Sequence, residues 1–292
     1  MRLTRRNAGV IVLLLLPGLL LYAALVLYPV VDSLILSFYK WPTFGVKQFA
    51  GFYNYNLVFH DSIFWKSVKN TLIFMVGTTV FQIAIGFIFG YLVYLQLRGH
   101  KVFKTVFFIP CVLSSVAVGF IWSYIYSPDF GILLPVMKAV GLSKYYVPPL
   151  SSPSLALMFT ILAYIWQNVG VQIMMFNSGF MAMPQEVLEC ASLDGATGFR
   201  KIIYMVLPLS WDIVKVIIVL QVIGSLRAFD LVYIMTTGGP NHATEVLTMN
   251  MFSQAFTQFN LGYGSVDSVV IFVLALGLTL GLRKIMYRES IN

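Results

Sequence analysis

The stretch Met183–Pro208, MPQEVLECASLDGATGFRKIIYMVLP, decides how this chain is read. It is polar and charged, and it stands between two long apolar segments. Pro184 suits the first turn of a helix, where its missing N–H costs nothing. A short helix is expected through Ala191, then a turn at Asp194-Gly195-Ala196. Pro208 follows Asp194 by fourteen residues, at the edge of the next apolar run. Gln185 and Glu186 favour the N-terminal end of the helix electrostatically. Glu186 and Glu189 are three apart and share a face. Cys190 and Ala191 are small and permit close approach of another surface. Gly195 supplies the backbone freedom that a sharp stop needs. These properties fit a solvated amphipathic loop helix and a rigid, partly acidic knob equally well.

Outward from this loop the chain is apolar. Of its 292 residues 59% are hydrophobic and 10% charged, against about 25% charged in an ordinary soluble domain. That excludes a soluble globular protein. The net charge of +8 is spread in small basic clusters beside apolar runs, so nucleic acid is not an expected partner. Cys111 lies in an apolar run and Cys190 in the loop, and no disulfide is expected between them. His60, His100 and His242 are scattered, with no metal-ligand spacing. There is no GxxxxGK[ST] phosphate loop, HExxH or GxSxG elbow. No catalytic residue and no metal site is therefore expected, and the chain is not read as an enzyme.

Apolar segments of about 20 residues cross a bilayer as helices. Six are expected, over roughly 10–38, 70–96, 105–127, 154–180, 209–235 and 266–286. The first follows Arg2, Arg5 and Arg6, as a signal peptide would, but its run from Val10 to Val31 is too long for one. An uncleaved span is preferred. With the N-terminus inside, the inner segments hold eleven Lys and Arg, at 2–6, 98–104, 200–201 and 283–288, against six in the outer loops. Both termini and the loop at 183–208 are accordingly expected in the cytoplasm. The expected fold is an all-α integral membrane protein, a single transmembrane domain over 1–292, multi-pass in the cell (inner) membrane.

Here the residues resemble a family. Glu189-Cys190-Ala191, Asp194-Gly195-Ala196 and Leu207-Pro208 are similar to the EAA loop of ABC-importer permeases, at the same spacing. Gly51-Phe52-Tyr53-Asn54-Tyr55, Asp61, Phe64-Trp65 and Asn70-Thr71 resemble the approach to the second span of maltose-type carbohydrate permeases. Phe108-Ile109-Pro110 through Trp122, Phe229-Asp230, Thr236-Thr237-Gly238-Gly239-Pro240, Ala255-Phe256, Gly262-Tyr263-Gly264 and Ser268 extend the resemblance over nearly the whole chain. Cys190 departs from the usual Ala, and Ile202 stands where Phe is common. The large extracellular insertion of the enterobacterial maltose permease is absent.

The resemblance implies a permease subunit that moves a carbohydrate inward on ATP hydrolysed by separate subunits. It implies a cytoplasmic coupling helix in which Glu186, Glu189, Ala191, Asp194, Gly195 and Ala196 meet the ATPase. The implied partners are a second homologous permease, two ATP-binding cassette subunits that hold ATP and Mg, an extracytoplasmic solute-binding protein and membrane lipid. No cofactor is implied in this chain itself.

Polar residues inside spans are costly and are functional candidates. In the fourth span Tyr164, Gln167, Asn168 and Val171 form one helical stripe, and in the fifth Gln221, Gly224, Ser225 and Ala228 form another. Helix–helix hydrogen bonding explains such residues as readily as a sugar does. The family resemblance favours the sugar. Arg227 and Asp230, three apart, read most simply as a mutually neutralising ion pair, and otherwise as a polar gate or substrate contact. Two rivals stand beside the carbohydrate reading. One is glycerol phosphate or its diesters on the same scaffold. The other is a secondary transporter driven by an ion gradient.

Overall fold

The computed structural model describes residues 5–41 and 45–286, with side chains from Leu13 onward. Arg2 and Arg288, and the side chains of Arg5 and Arg6, lie outside the described residues.

The chain is helical apart from one antiparallel ribbon, β1 (Tyr39–Lys40) with β2 (Gln48–Phe49). Helix α1 (Arg5–Tyr22) runs through a π turn into α2 (Tyr28–Leu36), and a short α3 (Tyr53–Phe59) follows. Then come α4 (Ser62–Tyr94), α5 (His100–Val112), α6 (Ser115–Tyr126), α7 (Leu133–Ala139) and α8 (Ala156–Met181). The polar loop holds α9 (Gln185–Leu193) and α10 (Gly198–Lys201), and α11 (Leu207–Leu209) leads into α12 (Trp211–Leu226). The chain ends on α13 (Asp230–Thr236), α14 (Leu247–Phe252) and α15 (Leu261–Ile285).

By length and composition, four helices can cross a membrane unbroken: Leu13–Leu36, Ser62–Tyr94, Ala156–Met181 and Leu261–Ile285. Two bent helix pairs pass the same test only when each is taken together, as a broken span or a re-entrant loop. The segment expected as one helix over 105–127 is α5 and α6, which meet at 101°. Pro110 removes a hydrogen bond from the last turn of α5, Leu113 and Ser114 are extended, and the Ser114 Oγ accepts the Ala117 N–H at 3.2 Å to start α6. The fifth span differs more. Gly198–Leu209 and α12 meet at 72°. Pro208 again lacks a donor, and a π turn over Ile202–Val206 absorbs the irregularity. Where 209–235 was expected to be continuous, α12 stops at Leu226, and Arg227–Phe229 separate it from α13. Ala228 is thus off the helix that was expected to carry it.

Two compact units divide the chain, 1–62 with 250–272 and 63–249 with 273–292. In the first, Asn54 is buried and its Nδ2 donates to the carbonyls of Ser37 (2.8 Å) and Tyr39 (2.9 Å). The Tyr263 hydroxyl donates to Asp61 at 2.8 Å, and Asn250 Nδ2 to the fully buried Asp267 at 2.9 Å. A Cβ at Gly262 would run into the Tyr39 carbonyl and lie 2.7 Å from Asn54 Nδ2. Several residues that carried the family resemblance are therefore structural bonds here.

The second unit is built on α8. Phe74, Leu157, Ile161, Ile165, Val169 and Ile173 form its main apolar cluster with Val232 and Val246. A second cluster joins Phe176, Phe180 and Met183 to Val206, Val214 and Ile217. Close approach is set by glycines, as is usual where lipid supplies no hydrophobic drive between helices. Gly86 and Gly90 of α4 bring its backbone onto Gln172 and Phe176, and Gly170 of α8 lies against the Phe107 carbonyl of α5.

Candidate functional site: a coupling helix and a polar pocket

Two places in the second unit gather the candidate residues. The first is the polar loop. Pro184, in extended conformation (ψ 113°), caps α9 instead of opening it, and the helix runs two residues past Ala191, to Leu193. It ends as a Schellman motif: the Ala196 N–H donates to the Ala191 carbonyl at 2.9 Å and the Gly195 N–H to Ser192 at 3.2 Å. Gly195 has φ +85°, the left-handed conformation such a stop requires. Leu188 packs with Met183 and Val206, and Ala191 is buried as well, so Ala191 is turned away from solvent. Glu186, Glu189, Cys190, Leu193, Asp194 and Gly195 are exposed. Among the described residues the three carboxylates form no ion pair. The helix is held at both ends. The Tyr94 hydroxyl donates to Gln185 at 3.0 Å, and Lys201 Nζ to the Ser192 Oγ at 2.8 Å. The result is a short helix with an acidic, partly apolar outer face fixed on the span ends beneath it.

The second place is a pocket of about 150 Å³ where α12 breaks before α13, lined by Ser115, Tyr164, Asn168, Gly224, Arg227, Phe229 and Asp230 among others. Arg227 and Asp230 are both exposed and, among the described residues, form no ion pair with each other. The ion-pair expectation is corrected here: the break at 227–229 splits the two across the end of one helix and the start of the next. The break is itself fixed, since Thr248 Oγ1 donates to the Ala228 carbonyl at 2.6 Å. Tyr164 packs its ring edge-on against Phe74 at 5.0 Å. Asn168 Nδ2 donates to the Tyr164 carbonyl at 3.0 Å. A Cβ at Gly224 would meet nothing within 4 Å, so this glycine leaves the pocket open.

Gln167, Gln221 and Ser225 lie elsewhere. Gln167 is 4% exposed and donates to the Leu113 carbonyl (3.2 Å) and the Ser115 hydroxyl (3.3 Å), spanning the α5–α6 bend. Gln221 accepts from Gln172 Nε2 at 2.7 Å, a buried bond between α12 and α8. The buried Ser225 Oγ donates to the Val222 carbonyl of its own helix at 2.9 Å. Sequence reasoning missed Ser115, Phe229 and Gln172. Gln172 was visible as a lone amide in a span, but its partner was not. Asp212 and Lys215, near the other end of α12, form an ion pair at 2.5 Å.

A mainly helical chain with four helices long and apolar enough to cross a membrane, a capped loop helix and a polar pocket has the form of a multi-pass membrane protein. The family model for the binding-protein-dependent transport system inner membrane component matches residues 82–285, and the chain belongs to that family. It is 30% identical to "Probable ABC transporter permease protein YurN" of Bacillus subtilis, over 95% of this chain and 96% of that one. It is 28% identical to "Trehalose/maltose transport system permease protein MalF" of Thermococcus litoralis, over 97% of this chain and 96% of that one. A chain of the bacterial alginate ABC transporter, solved with an alginate pentasaccharide-bound periplasmic protein, superposes with a TM-score of 0.85 at 18% identity, covering 98% of this chain and 97% of that one. The chain is thus a multi-pass inner-membrane permease subunit of an ABC transporter and is not itself catalytic. ATP is bound by separate ATPase subunits of such systems. The secondary-transporter reading is overturned by this membership.

Proposed function

We propose that this permease imports a carbohydrate, which it meets at the pocket formed by Tyr164, Asn168, Gly224, Arg227 and Asp230. The observation that carries the reading is the pocket's make-up: an aromatic ring, an amide and, around a helix break, two charges that form no ion pair among the described residues. A sugar needs donors and acceptors for its hydroxyls and an aromatic face for its C–H groups. Broken helices near the middle of the bundle are where transporters of many folds hold substrate. The volume of about 150 Å³ falls below the roughly 300–1,000 Å³ of a complete ligand site. That supports a second, homologous permease supplying the other wall. The similarity to a permease named for trehalose/maltose supports the substrate class.

In this reading an extracytoplasmic binding protein delivers the sugar to the outer face. Two ATPase subunits grip α9 and its counterpart on the second permease. Glu186, Glu189 and Asp194 face the ATPase, while Ala191, Gly195 and Ala196 shape the helix end that enters it. Both termini lie in the cytoplasm, on the side of the basic clusters. Gln167 and Gln221 support the pathway by fixing the helices around it, and Ser225 is satisfied within its own helix.

The experiment is sugar uptake by the assembled transporter with Asn168→Leu or Gly224→Leu. Uptake should fall at least ten-fold while basal ATP hydrolysis and assembly stay unchanged. Unchanged uptake would sink the reading. A second reading, glycerol phosphate or its diesters, draws on Arg227, an exposed cation without an ion-pair partner among the described residues. Arg227→Gln separates the two. It should weaken capture of a neutral sugar by only a few-fold, but abolish uptake of an anion.

A further inference from the structure

The turn between α4 and α5 has no role in the pathway or the coupling helix, yet it opens a groove of about 520 Å³. It is lined by the polar turn Arg98, Gly99 and His100 and by apolar side chains that include Leu97, Val102, Phe103, Val106 and Phe107. Two of the lining side chains are aromatic, Phe103 and Phe107, and Phe89 packs beside them. Phe103 lies 4.4 Å from Phe107 and 5.2 Å from Phe89, centroid to centroid. The walls are left bare, with Val102 68% exposed, Val106 57% and Leu97 55%. Arg98 is exposed and forms no ion pair among the described residues. Lys101 and Lys104 follow on the first turns of α5, and no Asp or Glu occurs between Asp61 and Asp129. His100 turns one ring nitrogen to the Leu97 carbonyl at 3.1 Å.

The groove lies at a membrane surface whichever way the chain is oriented. Helix α4 has 33 residues, about 50 Å at 1.5 Å per residue, against a hydrocarbon core of about 30 Å. Its last turn and the start of α5 therefore reach the headgroup level. We propose that this groove binds one anionic phospholipid, its phosphate against Arg98 and His100 and an acyl chain along Val102, Phe103 and Val106. Charge complementarity selects the occupant. An apolar trough in contact with lipid holds any acyl chain, but a cationic mouth without a carboxylate in its own chain segment selects an anionic headgroup. Basic pockets at the ends of spans recognise lipid headgroups in this manner. The inference rests on the membrane location of the family and not on the proposed substrate or topology.

The test uses the assembled transporter in nanodiscs of phosphatidylcholine containing phosphatidylglycerol, followed by delipidation and native mass spectrometry of the retained lipid. The wild type should retain phosphatidylglycerol in preference to phosphatidylcholine. Arg98→Gln, at an exposed side chain without an ion-pair partner among the described residues, should lower that retention about five-fold, the weight of one basic group at a membrane surface. Val106→Trp, which fills the trough and keeps the charge, should lower it similarly. Lys144→Gln, in another loop, should not change it. Equal retention of both lipids overturns the proposal, as does a preference that survives both groove variants. A Val106→Cys cross-link to a neighbouring permease would also overturn it, because protein and not lipid would then fill the groove.

Discussion

Asn168 and Gln221 are both amides in the middle of a span, and the structure gives them different consequences. Asn168 reaches the pocket with one end of its amide held by the Tyr164 carbonyl at 3.0 Å. Asn168→Leu should leave the thermal midpoint of the purified complex nearly unchanged and reduce uptake, with about 1 kcal/mol lost from substrate capture for each hydrogen bond removed. Gln221 answers Gln172 at 2.7 Å. Gln221→Leu should destabilise by about 1–3 kcal/mol by orphaning a buried amide, and Gln172→Leu in the same chain should recover part of that loss. The check is a double-mutant cycle on thermal midpoints, and additive losses would refute the pairing. A control must sit on the bare face of α8. Met158 is 52% exposed and suits, whereas Ile173, at 1%, is core. The sequence exposed Asn168 and Gln221 as anomalies in apolar runs, and passed over Gln172. It could not separate lining from glue, because that depends on which helix lies opposite. Helical periodicity carries no such information.

At the level of elements, the loop helix was legible in detail. Proline, acidic first turn, small residues and glycine stop are local signals, and local signals survive the absence of neighbours. The helix came out two residues longer than expected, and Ala191 turned inward. Gly195 at φ +85° predicts the outcome of one substitution. Gly195→Val should cost roughly 1–2 kcal/mol at that turn and cut transport-coupled ATP hydrolysis, read by co-purification with the ATPase and by stimulated turnover. Normal assembly with normal coupling would refute α9 as the docking element. Long spans were legible and their breaks were not. Pro110 and Pro208 were visible, but a proline in a membrane helix is often tolerated. Whether it bends by 101° depends on packing. Gly170 is part of that packing: a Cβ there would lie 2.9 Å from Cys111 Sγ and run into the Phe107 carbonyl. Gly170→Ala should lower stability by about 1–3 kcal/mol, seen as an earlier melting of the detergent-solubilised complex.

For the whole molecule, topology remains the most useful quantity to measure. Cys190 is exposed on α9 and Ser143 is exposed in the segment between α7 and α8. An impermeant thiol reagent applied to intact cells should label a Ser143→Cys chain and spare Cys190. Labelling of Cys190 alone would invert the orientation. The four long spans were legible from composition, since a bilayer demands about 20 apolar residues for each. The assignment of 250–272 to the same compact unit as the first 62 residues was not. Contacts that distant leave no periodic trace, only isolated residues such as Asn54, Tyr263 and Asp267 that look unexplained until their partners are seen.

Helix α4 carries a debt of time. Its Lys66 Nζ donates to the Asn241 carbonyl at 2.6 Å, and Asn70 Nδ2 donates to the carbonyls of His242 (3.1 Å) and Glu245 (2.9 Å). The Leu247 N–H returns to Thr71 Oγ1 at 2.8 Å, across 176 residues of chain. A ribosome adding about 5–20 residues per second leaves these side chains waiting roughly 9–35 s for partners that have not been made. Through that interval the nascent span must be sheltered by the insertion machinery or keep its polar end in water. A chain arrested at Thr236 and probed for association with the insertase should therefore be retained longer than one arrested at Met286, where the partners have cleared the ribosome.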